Sequence, residues 1–256
     1  MTGAELEKKM RVYETANDNC VLPEMHIVVR LDGKKFSKLT NEYYEKPFSD
    51  KFKNIMAKTT ETLMKESGFS IVYAYCQSDE ISLLLHRLDE TFSRKPRKII
   101  STLAGLASAT FSLEHGSTAV FDARISQLPK EHLVLDYFKW RQEDSINNCL
   151  NGYCYWTLRN LGDNKLQATK KLQFLTYQQK EELLFNLRVN YSKIPLWQKR
   201  GFGAFWETYK KESVNPLTNE KVWAERNKIS IDYEIPSGYN YEDYLLSKMY
   251  RTGMIT

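Results

Sequence analysis

The chain has 256 residues, of which 42% are hydrophobic and 27% charged, and its formal net charge is +5 at pH 7. This length suffices for one sizeable core or for a domain with an elaborated second half, and so small a net charge does not by itself indicate a nucleic-acid partner. No stretch approaches the roughly 20 apolar residues of a membrane span, the N-terminal segment lacks the apolar region of a signal peptide, and the four cysteines form no CxxC pair. These features argue against a membrane partner, a zinc site and a disulfide framework, and they predict a cytoplasmic protein.

The first half of the chain predicts strands that alternate with helices. Apolar runs bounded by turn residues predict buried strands at 25–29, 71–76, 81–85 and 119–121. Ser49 or Asp50 is suited to cap a helix that Gly68 ends, and a second helix is predicted near 97–114. The order βαββαβ predicts an α+β fold in which an antiparallel sheet carries helices on one face.

The second half predicts mainly helices, at 133–141, at 147–159 and at 177–188, where Thr176 is the expected cap. Two strand-like runs, 203–209 and 221–226, flank the turn-rich segment 215–219 and predict a β-hairpin. We expect residues 1–135 to form the catalytic region and residues 136–256 a helical and hairpin extension of one compact unit. Trp140 and Trp156 are predicted to lie in the core or in a subunit interface.

Two acidic turns each follow a predicted strand: Asp32-Gly33 after the first, and Asp79-Glu80 between the second and third. Taken singly, such dipeptides are common in turns and need no chemical role. If the strands are neighbours in one sheet, Asp32 and Asp79 face each other at its end. Two carboxylates in that position can bridge a pair of Mg²⁺ ions about 3.5–4 Å apart, as in phosphoryl transfer.

Several features near these turns favour a bound polyphosphate. Gly33 allows a ligand close to the backbone, and a nest of amides is predicted at Lys34, Lys35, Phe36 and Ser37. Lys46 offers a point charge, and residues 94–98 place four cations at the start of a helix. Cations there oppose the helix dipole, so a bound polyanion explains them better than helix stability does.

The chain resembles the tRNA(His) guanylyltransferases and the Thg1-like proteins from about residue 25 to about residue 201. The resemblance rests on seven motifs in order: RLDGKKFSKL, KPFSD, YCQSDEISLL, SRKPRKIISTLAGLASATF, FDAR, YFKWRQEDSINNCLNGYCYW and VNYSKIPLWQKRG. It implies a polymerase-like palm and, as partners, tRNA together with ATP, GTP and other NTPs. It also implies a homotetramer.

The resemblance assigns roles residue by residue. Two Mg²⁺ ions would be held by Asp32, the Gly33 carbonyl and Asp79, with Glu80 in a supporting role. The nucleoside triphosphate would be lined by Gly33, Lys34, Lys35, Phe36, Ser37 and Ser78, and its phosphates contacted by Lys46, Arg94 and Lys98. A second nucleotide and the tRNA end would be met by Asn147, Asn148, Asn151 and Lys180, with Arg200 as a further RNA contact. Of these residues, the catalytic ones would be Asp32, Asp79, Glu80 and Lys98.

One position departs from the family pattern. The guanylyltransferases usually read His-Ile-Asn-Asn where this chain has Ser145-Ile146-Asn147-Asn148. The change removes an imidazole near a nucleotide but leaves the metal chemistry untouched. The sequence is therefore more similar to the Thg1-like branch, whose members repair 5′-truncated tRNAs.

The expected function is template-dependent 3′-to-5′ addition of nucleotides to the 5′ end of tRNA by a nucleotidyltransferase. Two alternatives stay open at this point. A nucleotidyl cyclase uses the same paired aspartates, and a non-catalytic tRNA-binding protein would need only the cationic and aromatic surface.

Overall fold

A computed structural model of the chain describes residues 1–214 and 221–250. Over these residues the helices are α1 (Gly3–Thr15), α2 (Phe36–Tyr43), α3 (Asp50–Glu66), α4 (Pro96–His115), α5 (Glu131–Asn160), α6 (Lys165–Leu172), α7 (Tyr177–Asn186), α8 (Leu196–Arg200) and α9 (Tyr239–Tyr250). The strands are β1 (His26–Gly33), β2 (Ile71–Gln77), β3 (Glu80–Leu85), β4 (Phe121–Leu128), β5 (Phe202–Val214) and β6 (Lys221–Asp232). The predicted turn at 215–219 lies outside the described residues.

The six strands form one antiparallel sheet in the order β4-β1-β3-β2-β5-β6. The first four strands and the helices α3 and α4 follow the predicted βαββαβ order, in the split arrangement in which β3 lies between β1 and β2. β5 and β6 come from the second half of the chain and extend the sheet at the β2 edge. The predicted hairpin is confirmed, and both of its strands are longer than expected.

Helices cover both faces of this sheet, so the prediction of helices on one face is wrong. One face packs its side chains, including Leu31 and Ile81, against α3 and α4. The opposite face packs Tyr73 and Leu84 against α5 and α9. The physical reason is visible in β3, where every residue is buried. Because successive side chains of a strand point to opposite faces, a strand that is buried throughout is covered on both faces.

The local predictions differ in how well they hold. α3, α4 and α7 lie close to their predicted positions, and Ser49 and Thr176 provide the predicted caps. The two helices predicted at 133–141 and 147–159 are one 30-residue helix, α5, because no Gly or Pro interrupts the segment between them. β4 begins at residue 121, where the predicted strand ends. Polar residues alternate along this edge strand, so it contains no apolar run that would mark it in the sequence.

Among the described residues, no helix combines the length and the apolar character needed to cross a lipid bilayer.

Candidate active site

A cavity of about 670 Å³ opens where the end of β1, the β2–β3 turn, the segment before α3, and the helices α5 and α8 meet. Six residues predicted for the site line this cavity: Asp32, Lys46, Ser78, Asp79, Glu80 and Asn148. The cavity thus brings together residues that are more than 100 positions apart in the sequence. It also brings together the two acidic turns, as the sequence predicts.

The two aspartates lie on adjacent backbone segments. Asp32 is the penultimate residue of β1, and Asp79 lies in the two-residue turn between β2 and β3. The Gly33 amide donates a hydrogen bond of 3.1 Å to the Asp79 carbonyl, which holds the two segments together. Ser78 adopts φ 49°, a left-handed conformation uncommon for a serine, and its hydroxyl donates to the Asp79 carboxylate at 3.1 Å.

The environment of Asp79 raises the pKa of its carboxyl group. Burial is the main cause, because desolvation disfavours the charged form, and the negative charge of Asp32 acts in the same direction. The Lys46 ammonium and the Ser78 hydroxyl oppose them. A carboxylate held in this way is stabilised by any cation that binds next to it.

Packing requires glycine at position 33. A β-carbon at this position would lie 2.4 Å from the ring of Phe36, which is buried in the core between Phe52, Phe111 and Phe121. The core therefore fixes the backbone beside Asp32.

The predicted amide nest is only partly available, because the Lys34 amide donates to the Val120 carbonyl at 2.8 Å. Phe36 and Ser37 open α2, and the N-cap residue Lys35 makes no side-chain capping bond. The first amides of this helix therefore remain the better anion donors.

Lys46 supplies a cation that lines the cavity and interacts with the charge of Asp79. Its ammonium donates to the Thr40 hydroxyl at 2.7 Å and lies 5.7 Å from the centre of the Trp156 ring. Burial lowers the pKa of Lys46, and the Asp79 carboxylate partly counteracts this. A partly desolvated ammonium in the same cavity as the two aspartates is suited to bind a phosphate.

Glu80 does not point at the aspartates as a free carboxylate. It accepts a hydrogen bond of 2.8 Å from Arg141 Nε, and Arg30 Nη1 lies 3.9 Å from its other oxygen. Arg141 also donates to Asp144 at 2.6 Å. Burial raises the pKa of Glu80, and both arginines oppose this shift. The group is a buried ion-pair network that forms one wall of the cavity.

Aromatic side chains form much of the remaining wall, and sequence reasoning assigned two of them, Trp140 and Trp156, to the core or to a subunit interface. Together with Phe48 and Trp197 they line the cavity. Helical spacing in the sequence indicates which residues of α5 line the cavity. The lining residues recur every three or four positions and so share one face of the helix: Arg141, Ser145, Asn148, Gly152 and Trp156.

Arg94 does not belong to the cavity. Its side chain is buried, and its guanidinium donates to the carbonyl oxygens of Arg87, Asp89 and Met25. In this arrangement both terminal nitrogens of the Arg94 guanidinium donate to backbone carbonyls, and its contact with phosphates stays a prediction.

Its neighbours Lys95 and Arg97 both pair with Asp18, so one carboxylate compensates part of the charge of the cluster within the fold. Lys98 is exposed and does not line the cavity.

Other predicted residues lie elsewhere. Asn147 and Asn151 are exposed on α5 outside the cavity lining. Lys34 and Lys35 border a separate shallow pocket of about 390 Å³. Arg200 donates to the Ile235 carbonyl at 3.3 Å. The predicted sites that do not line the cavity are Gly33, Lys34, Lys35, Phe36, Ser37, Arg94, Lys98, Asn147, Asn151, Lys180 and Arg200.

Ser145, the residue that departs from the family pattern, has a structural partner. It is buried in α5, and its hydroxyl donates to the Lys199 carbonyl in α8 at 3.1 Å. The hydroxyl thus ties two walls of the cavity together.

The donor set fits a hard divalent cation. In the described part of the chain, no group of three or more His, Cys, Asp and Glu side chains is placed to hold a metal ion. Mg²⁺ does not require one, because it uses one or two carboxylates and takes its other ligands from water and phosphate. The carboxylates of Asp32 and Asp79 and the carbonyl of Gly33 are ligands of the type that this chemistry uses.

Two family models match this chain. Residues 7–129 match the model described as tRNAHis guanylyltransferase, Thg1, and residues 132–236 match the Thg1 C terminal domain. The class of protein is therefore a nucleotidyltransferase. More particularly, the chain belongs to the tRNA(His) guanylyltransferase (Thg1) superfamily.

Individual relatives agree. The tRNA(His) guanylyltransferase of Debaryomyces hansenii is 31% identical over 238 residues, which cover 86% of this chain and 89% of that protein. A probable tRNA(His) guanylyltransferase of Drosophila melanogaster is 32% identical over 195 residues, 72% of this chain and 68% of that protein.

Among solved structures, a bacterial Thg1-like protein in complex with GTP has a TM-score of 0.74 at 26% identity and covers 96% of this chain and 99% of that one. A bacterial Thg1-like protein in complex with ATP has a TM-score of 0.73 at 26% identity, with the same coverage. The enzyme from Saccharomyces cerevisiae, at 23% identity and a TM-score of 0.70, covers 83% of this chain and 94% of that one and shares the fold.

Proposed function

We propose that this nucleotidyltransferase adds nucleotides to the 5′ end of tRNA in the 3′-to-5′ direction, directed by the opposite strand, and acts in 5′-end repair. The observation that carries the proposal is that Asp32, Asp79 and Lys46 line one cavity in a chain of this family. The sheet order of the first four strands supports the comparison with a polymerase-like palm.

The chemistry has two stages at one site. In the first, a 5′-phosphate oxygen of the RNA attacks the α-phosphorus of ATP or GTP, and pyrophosphate leaves. In the second, the 3′-hydroxyl of an incoming NTP attacks the activated 5′-phosphorus, and the nucleoside monophosphate leaves. The new 5′ end then carries the triphosphate of the added nucleotide.

The residues divide these tasks. Asp32, Asp79 and the Gly33 carbonyl would hold two Mg²⁺ ions, and Glu80 would position Arg141 beside them. When bound, Mg²⁺ lowers the pKa of the attacking hydroxyl and stabilises the charge on the phosphates. Lys46 would contact the phosphates, with Ser78 and Asn148 on the same wall. The roles of Lys98, Lys180 and Arg200, and the tetramer, stay predictions.

The test is a 5′-extension assay with 5′-truncated tRNA, Mg²⁺ and labelled NTPs. We expect extension by the wild-type protein and its loss in Asp79→Ala. The matched control is Asp243→Ala, an exposed aspartate on α9, which should extend normally. Undiminished extension by Asp79→Ala, or cyclic nucleotide formed without RNA, contradicts the proposal.

Ser145 favours repair over a dedicated reaction on tRNA(His). We therefore expect truncated tRNAs other than tRNA(His) to be extended at least as well as intact tRNA(His). A strong preference for intact tRNA(His) overturns this choice within the family.

A further inference from the structure

Trp140 is a large aromatic residue that lines the cavity while 51% of its surface stays exposed. Its neighbours on α5, Tyr137 and Phe138, are buried at 8% and 0% exposure. Core packing therefore does not account for Trp140. An exposed aromatic ring next to convergent polar groups is typical of a ligand contact.

The ring of Trp140 is held in place from within the protein. The Arg141 guanidinium lies 4.2 Å from its centre, and Tyr137 meets it edge-on with the ring centres 5.8 Å apart. Arg141 is itself fixed by Glu80 and Asp144. The indole is thus pre-organised, and a flat partner can stack on its exposed surface at little cost in side-chain entropy.

The ring of Trp140 lies close to the two aspartates. Glu80, which holds Arg141, is the register partner of Asp32 on the neighbouring strand, and adjacent strands lie about 4.8 Å apart. Arg30 lies 5.8 Å from the Trp140 ring and can meet a phosphate there. A flat ring with guanidinium groups beside it fits a nucleobase that carries its own phosphate.

The two ends of the cavity suggest which nucleobase is bound. Trp156 lines the other end of the cavity, 16 steps along α5 and about 24 Å from Trp140, and the Lys46 ammonium lies 5.7 Å from the Trp156 ring centre while it also interacts with the charge of Asp79. A nucleoside triphosphate whose phosphates contact Lys46 occupies that other end. The half-exposed Trp140 remains for the RNA.

We propose that Trp140 is the stacking platform for the nucleobase at the 5′ terminus of the RNA acceptor. This inference rests on the proposed function. Stacking reads no base edge, so the platform accepts any terminal base and suits an enzyme that repairs different RNA ends.

The experiment measures Kd by fluorescence anisotropy for a 3′-labelled, 5′-truncated tRNA at fixed salt, and the KM for NTP in extension. The variants are Trp140→Ala and Trp140→Phe, with Trp223→Ala as a control for an exposed tryptophan on β6, outside the cavity lining. A second RNA carries an abasic 5′-terminal nucleotide and is otherwise identical.

For the intact RNA we expect Trp140→Ala to raise Kd at least about five-fold. Trp140→Phe should raise it less, and Trp223→Ala should leave it unchanged. For the abasic RNA, wild type and Trp140→Ala should bind equally, because the base that stacks is missing.

Two results overturn the inference. An equal loss of affinity for both RNAs assigns Trp140 a merely structural role, and a raised KM for NTP with unchanged RNA affinity assigns the platform to the NTP base. A protein that fails to extend RNA refutes the proposed function. Because the Kd measurement needs no turnover, the comparison of the two RNAs still tests the stacking role of Trp140 in that case.

Discussion

Replacing Arg141 by Met tests the buried network that supports the cavity wall. The side chain of Arg141 is 4% exposed and that of its partner Glu80 is 9% exposed. The substitution keeps the aliphatic volume and leaves Glu80 as a buried carboxylate without its closest cation. Breaking a buried pair from one side costs about 3–5 kcal/mol. For a chain of this size that corresponds to a fall in Tm of roughly 6–20 °C.

The pH dependence of this loss identifies its cause. Burial already raises the pKa of Glu80 above 4.5, and Arg141 opposes that shift, so removing Arg141 raises the pKa further. A carboxyl group whose pKa is higher in the folded state favours folding when protonated. The free energy lost by Arg141→Met is therefore largest above the folded pKa and shrinks as the pH falls through it.

Urea unfolding of the wild type and of Arg141→Met at pH 7.5 and at pH 5 measures the lost free energy of unfolding at each pH. The double variant Arg141→Met/Glu80→Gln serves as the control, because it removes the stranded charge and should regain part of the loss at pH 7.5. The reasoning is refuted by a loss that is the same at both pH values, or by a double variant no more stable than Arg141→Met alone.

Gly33→Ala should lower the urea midpoint, because its β-carbon would lie 2.4 Å from the buried Phe36 ring and such overpacking costs about 1–3 kcal/mol; an unchanged midpoint contradicts this. Asp18 pairs with Lys95 and Arg97, which lower its pKa from 3.8 to about 2. A lowered carboxyl pKa stabilises the fold above the unfolded value, so Asp18→Asn should be less stable at pH 7. The difference in the free energy of unfolding between Asp18→Asn and the wild type, measured with urea, should decrease as the pH falls from 3.8 towards 2. A difference that stays constant would exclude the ion pairs as its cause.

The positions of the central strands along the chain were predictable because they depend on burial. The strands β1, β2 and β3 are buried almost throughout, so each contains a mostly apolar run that marks its position in the sequence. The acidic turns follow from those runs, since a polar residue directly after a buried strand lies at the end of the sheet. This is why Asp32 and Asp79 could be placed together before their contacts were known.

The contacts of individual cations could not be predicted in the same way. Arg94 and Lys98 occur in one run of four cations, yet one is buried against carbonyl oxygens and the other is exposed. A local charge pattern contains no information on which backbone oxygens a fold leaves unpaired. The aromatic wall was missed for a related reason, because Trp156 lines the cavity only when α5 continues without a break past residue 146.

The strand register explains why the two aspartates fit a cation from outside the chain. Asp32 lies opposite Glu80 on β3 and opposite Asp122 on β4, and directly opposed like charges destabilise a sheet. The sheet offsets this on both sides, with Arg30 at 3.9 Å from Glu80 and Arg124 at 3.5 Å from Asp122.

Within the described residues, neither Asp32 nor Asp79 has an ion pair of its own. Burial raises the pKa of Asp79, and Asp32 adds to this, so a divalent ion between them would relieve both the desolvation and the mutual repulsion. Arginines neutralise the flanking carboxylates, whereas the aspartate pair has only the partial compensation that Lys46 gives to Asp79, and this difference supports the proposed magnesium site at the end of β1.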